Sequence, residues 1–120
     1  MWKETIICSV IIIAIILGNY IIQKYTSESV EIITNELADL REYLKENSND
    51  IQNNQSKEKI DKIFKYWEER RNKLAYFIEH DELEKVETDL TSIKSFIETN
   101  EYQNSISEVD KCRFVLNHIK

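Results

Sequence analysis

Two kinds of hydrophobic pattern divide the chain. From Thr5 to Ile22 the residues read TIICSVIIIAIILGNYII, apolar on all sides and free of charge. At about 1.5 Å rise per residue, a helix of this length spans about 27 Å, enough for the hydrocarbon core of a bilayer. Beyond it the apolar positions thin to single stripes. Val30, Ile33, Leu37, Leu40 and Leu44 recur at alternating intervals of three and four, the spacing of one buried helix face. The same spacing recurs in Leu83, Val86, Leu90, Ile93 and Ile97, and it predicts a helix there as well.

Two further stripes complete the plan. Ile60, Ile63, Phe64, Trp67, Leu74, Phe77 and Ile78 share a face, and the pattern loses phase near His80. Asp81 then stands where a helix N-cap belongs, with Glu84 three residues later in the capping-box position. Tyr102, Ile106, Val109, Cys112 or Arg113, Leu116 and Ile119 form the last stripe, with Asn100 and Gln103 placed to cap its start. The run NSNDIQNNQS has no periodicity and reads as the one linker, over about 47–56.

The expected fold is all-α. A transmembrane signal anchor occupies residues 1–25, and an acidic helical bundle with a C-terminal antiparallel hairpin occupies 26–120. Composition supports this reading. Proline is absent and Gly18 is the only glycine, so the usual punctuation of turns and strands is missing.

A cleaved signal peptide competes with the anchor, since Lys3 gives the segment a short basic start. The sequence after Leu17, GNYIIQKYTSES, offers bulky residues where a peptidase requires small ones, and this favours an uncleaved anchor. Trp2, Tyr20 and Tyr25 stand where interfacial aromatics stand. Lys3 on one side, against Lys24 with Glu28 and Glu31 close behind on the other, places the N-terminus in the cytoplasm and the bundle outside it. Ala14 and Gly18 form a single small-x-x-x-small pair, a weak signal for association of membrane helices.

Charge narrows the partners. The chain carries a formal charge of -6; without its first 24 residues, 14 basic and 21 acidic side chains remain. Such a domain repels phosphate backbones, so no nucleic acid partner is expected. The bilayer is the expected partner, joined by another protein or by self-association through helical faces. Cys8 and Cys112 lie too far apart for a disulfide, and Cys112 reads as a small buried apolar residue.

The stretch WEERRNKLAYFIEHDELEKVETDLTSIKSFIE and the ending VLNHIK resemble a family of small membrane-anchored helical proteins of spore-forming Gram-positive bacteria, a domain of unknown function. Trp67, the acidic turn His80-Asp81-Glu82 and the pair His118-Ile119 carry the likeness. It implies location and fold, and no activity.

Catalytic signatures are missing from the sequence: there is no G-x-S-x-G, no Walker A loop and no glycine-rich phosphate cradle. No enzyme activity and no cofactor are expected. Trp67 reads as a core residue, with Glu68, Glu69, Arg70 and Arg71 as a solvated face. The dense run EHDELE, residues 79–84, lacks the glycine and the alternating oxygens of a calcium loop. An antiparallel hairpin turning near residue 100 brings positions that sum to about 200 side by side. His118 then approaches the start of the third helix. His80, Asp81, Glu84 and His118 are the candidate metal ligands, a zinc-type set of imidazoles and carboxylates. The alternative is a polar helix-end cluster without metal, in which the acids complement the helix dipole. The module is read as a tethered interaction or scaffold unit, or else as an accessory or sensory domain that binds a cation or small ligand.

Overall fold

The computed structural model describes residues 2–119. Within them lie four helices and no strand: α1 (Trp2–Glu46), α2 (Asn54–Leu74), α3 (His80–Glu98) and α4 (Tyr102–Ile119). Each of the last three packs on its chain neighbour, and α4 returns to α1. The result is an up-down-up-down four-helix bundle closed by short connections. Only the second half of α1 belongs to it. The first half extends out of the bundle, and the molecule measures 73 × 23 × 20 Å.

The expected stripes supply the core, with Phe64, Tyr102, Ile106 and Ile119 only partly buried at its edge. Val30, Ile33, Leu37, Leu40 and Leu44 of α1 face Ile60, Ile63, Trp67 and Leu74 of α2. Leu83, Val86, Leu90, Ile93 and Ile97 of α3 and Val109, Cys112 and Leu116 of α4 close the ring. Cys112, not Arg113, takes the inward position. Burial of each such side chain stabilises by roughly 1.5–3 kcal/mol relative to exposure. The α3–α4 register is the one the sequence implies, since Lys111 Nζ lies 3.6 Å from Asp89.

The connections differ from the sequence reading in four places. First, α2 starts at Asn54, because Asn53 caps it. The Asn53 side-chain oxygen accepts from the Ser56 amide at 2.9 Å and from the Tyr43 hydroxyl at 2.9 Å. Second, α2 ends at Leu74, so Phe77 is not on its buried face. Residues 75–79 turn tightly through Phe77 and Ile78 amides bonded to the Leu74 carbonyl. Phe77 is exposed, while Ile78 packs partly against the core. Third, Glu79 occupies the N-cap position of α3, with no side-chain cap bond. Asp81 therefore lies inside the first turn, and the proposed capping box does not form. Fourth, Asn100 ends α3 and does not cap α4. Its φ is 57°, in the left-handed region, and the Glu101 and Asn100 amides bond back to the Phe96 and Ile97 carbonyls. That is a Schellman ending, with asparagine in the place glycine usually takes.

Asn100 also has a long-range role. Its side-chain oxygen accepts the Ile51 amide at 3.0 Å, while Ile51 itself is fully buried. The α1–α2 connection is thereby pinned across the far end of the bundle, with Gln52 donating to the Glu98 carbonyl at 2.5 Å.

The face after Trp67 is also more engaged than expected. The Trp67 indole N–H donates to Glu87 at 3.2 Å, and Arg71 pairs with the same carboxylate. Arg70 stacks over Tyr25 and Tyr66 and donates to Ser29 at 3.2 Å. Glu68 and Glu69 remain exposed.

Leu90→Asp and Trp67→Ala should each cost roughly 3 kcal/mol or more, measured by urea unfolding of the full chain in detergent micelles. Glu69→Ala should change stability by less than about 0.5 kcal/mol. A second test addresses the turn. Asn100→Ala should cost about 1–2 kcal/mol, through a left-handed alanine and an unpaired Ile51 amide. Asn100→Gly retains the backbone conformation and should cost less. Equal losses for the two would contradict the role assigned to Asn100.

Candidate functional site

Asp81, Glu84, Lys85, Thr88 and Asp89 of α3 line a groove with Lys111 and Val115 of α4. The groove is open to solvent and has a volume near 540 Å³. Asp89 is its unusual member. It follows Val86 by three residues and so turns with the apolar stripe toward α4, where it is 3% exposed. One carboxylate oxygen faces Lys111 at 3.6 Å, and the other is buried without a hydrogen-bond partner. Burial raises the Asp89 pKa above the ordinary carboxylate value, and Lys111 opposes that shift. Cys112 lies in the core, and burial, with the negative charges of Asp89 and Glu108 nearby, pushes its thiol pKa up. The thiol stays protonated and unreactive.

The structure only partly gathers the four candidate ligands. His80 Nε2 pairs with Glu84 at 2.9 Å, one turn along an exposed face. Asp81 and Glu84 share the groove lining. His118 is turned to its own helix: its ring lies 4.2 Å from that of Phe114, and its Nδ1 is 3.0 Å from the Phe114 carbonyl. Among the described residues no group of three or more His, Cys, Asp or Glu is placed to hold a metal ion. The acids of the first turn of α3 complement its dipole.

A different region carries most of the exposed apolar surface. An 18-residue window of α1 has a mean hydropathy of 2.6, and none of it is buried within the protein. Ile6, Ile7, Val10, Ile11, Ile12, Ile13, Ile15, Ile16 and Leu17 are each at least half exposed. A Cβ added at Gly18 would meet nothing within 4 Å, so that glycine serves no contact inside this chain. Where the apolar segment meets the bundle, Ile22, Gln23, Thr26, Ser27, Phe77 and Ile119 surround a groove of about 500 Å³.

These features define a class: a four-helix bundle whose first helix is prolonged by a segment long and apolar enough to cross a membrane. Over residues 20–120 the chain matches the family described as a domain of unknown function (DUF4363), and it belongs to that family. The matched region takes in the whole bundle and only the last few residues of the apolar segment. No curated protein and no solved structure matches the chain.

Asp89 and Lys111 are the features that sequence reading passed over, whereas the 75–79 turn falls where the α2 pattern loses phase near His80. Asp89 was detectable, since an acid three residues from Val86 and four from Ile93 falls on the edge of the buried face.

A carboxyl with a higher pKa in the folded than in the unfolded state contributes stability while protonated, and that contribution is lost as pH rises through the folded value. Asp89→Asn should therefore raise the melting temperature at pH 7 by a few degrees. The gain should shrink as pH falls to about 4, the range of an ordinary carboxyl. Paired thermal melts at the two pH values check this. A lower melting temperature for the variant at pH 7 would mean that the Lys111 pair outweighs burial.

Proposed function

We propose that the chain is a single-pass, membrane-tethered interaction module. It holds a four-helix bundle outside the cytoplasm and acts through contacts of the bundle surface with a protein partner or a second copy, without catalysis of its own. The observation that carries this reading is the single helix α1. Its first half exposes an unburied apolar surface, and its second half supplies one wall of the bundle core without a break. The bundle is thus fixed to whatever α1 is embedded in. The charge asymmetry of Lys3 against Lys24, Glu28 and Glu31 supports an outward-facing bundle. The absence from the sequence of nucleophile and phosphate-loop motifs, together with the buried thiol of Cys112, favours contact over chemistry.

A second reading rests on Asp89. Its one unpartnered buried oxygen, in a groove also lined by Asp81 and Glu84 though the three acids do not converge as a ligand set, supports a bundle that senses a small cation there, with Lys111 as the competitor. A thermal shift with divalent cations, lost in Asp89→Asn, would favour it.

The leading reading is tested in cells. The full chain should remain in membranes after alkaline carbonate extraction. Protease added to intact protoplasts should remove the bundle. Amine-reactive crosslinking at native expression should yield species larger than the monomer. Release by carbonate, protection from protease, or monomer alone would contradict the anchoring, the orientation and the interaction role respectively.

A further inference from the structure

The bundle end nearest the apolar half of α1 is built unlike the far end. The far connection, 47–53, is polar and hides its one aliphatic residue, Ile51. The near connection, 75–79, shows its large side chains: Tyr76 is 84% exposed and Phe77 43%. Neither aromatic belongs to the core, and among the described residues the ring contact of Phe77 is with Tyr76, with ring centroids 6.3 Å apart.

The helix register says where this turn lies. Contacts between α1 and α2 step in phase through Asp39–Lys59, Glu36–Lys62, Ser29–Arg70 and Tyr25–Lys73. α2 ends at Leu74, one residue past the last of these pairs, so the 75–79 turn follows at about the level of residues 22–26, where the apolar run ends. The groove shared by Phe77, Ile22, Gln23, Thr26 and Ser27 agrees. If residues 5–22 fill the hydrocarbon core, the headgroup layer extends roughly 5–7 Å beyond it, or about four residues of helix. The 75–79 turn falls in that layer, which is where tyrosine and other amphipathic aromatics are most stable.

We propose that the α2–α3 turn is a second membrane contact, with Tyr76 and Phe77 inserted into the headgroup layer of the bilayer that α1 crosses. The bundle is thereby seated on the membrane surface. The inference rests on the reading of α1 as a spanning helix. Charge does not drive the contact: Lys24 and Lys73 lie near the turn, but so do Glu79 and Asp81. Aromatic burial is sufficient, so the contact should form on uncharged lipid.

The test uses the full chain in phosphatidylcholine vesicles, with nitroxide labels whose depth is read from collision with oxygen and with a water-soluble nickel chelate. Three sites are labelled: native Cys8, Tyr76→Cys in a Cys8→Ser background, and Ser48→Cys in the same background. Cys112 is buried and remains unlabelled under native conditions. The Cys8 label should be shielded from nickel, and the Ser48 label fully accessible. The Tyr76 label should be several-fold less accessible to nickel than the Ser48 label. Because a nitroxide is itself apolar, a fourth site guards the result: at Asn72→Cys in the Cys8→Ser background, nickel accessibility should rise when Tyr76 and Phe77 are both changed to serine. A Tyr76 label as accessible as Ser48 while Cys8 stays shielded would overturn the seat and leave the anchor standing, as would an Asn72 label indifferent to the serine changes. A Cys8 label open to nickel would overturn the spanning helix and this contact with it.

Discussion

The hydrogen-bonded backbone of α1 runs 45 residues without interruption, and the rest of the architecture depends on it. A helix of that length measures about 67 Å, close to the 73 Å long axis of the molecule. Its continuity through residues 20–30 is not a matter of strong helix propensity, because Tyr25, Thr26, Ser27 and Ser29 are ordinary helix formers at best. Packing holds it. Thr26, Ser29 and Val30 are buried, the Ser29 hydroxyl donates to the Tyr25 carbonyl at 2.8 Å, and Arg70 of α2 covers both residues. The last turn before the apolar segment is therefore clamped by a neighbouring helix, and the segment inherits the orientation of the bundle.

From that constraint the other helices follow. The Val30–Leu44 stripe presents one apolar face along about four turns, and three shorter helices are needed to cover it and one another. Their lengths, 21, 19 and 18 residues, match the packed half of α1, so the layers close with short turns. Polar contacts then fix the order of the helices. Glu87 draws Trp67 and Arg71 to α3, Asp110 of α4 accepts from Arg41 of α1 at 2.9 Å, and Lys94 reaches Asp61 at 3.1 Å. Exposed pairs of this kind each add at most about 1 kcal/mol. Their contribution is to register, with the apolar stripes supplying most of the stability.

The helices and their inward faces were legible in the sequence because period 3.6 in apolar residues is a direct record of one-sided burial. Trp67, Leu90 and Cys112 are where the stripes place them. The connections were not legible to the same degree, since they are decided by partners distant in the chain. Ile51 stands among polar residues yet is fully buried, and Asn100, 49 positions away, accepts its amide. Asn100 in turn resembles a helix start in sequence, and adopts a left-handed ending because α3 must reverse there. Phe77 continues the α2 stripe on paper, yet the helix stops three residues earlier, so the same side chain becomes surface. His80, Asp81, Glu84 and His118 share one end of the hairpin, as the register implies. Whether imidazoles converge depends on side-chain rotamers, and His118 turns to the Phe114 carbonyl instead.

The whole architecture requires α1 to be one rigid rod from its apolar half into the bundle. Two nitroxide labels in the full chain, in lipid nanodiscs, test it directly: one on native Cys8 and one on Asn35→Cys, with the distance between them read by double electron–electron resonance. A continuous helix places the two backbones about 40 Å apart in a single narrow distribution. A broad distribution, or one centred well below that distance, would mean a hinge between the two halves and would contradict the account.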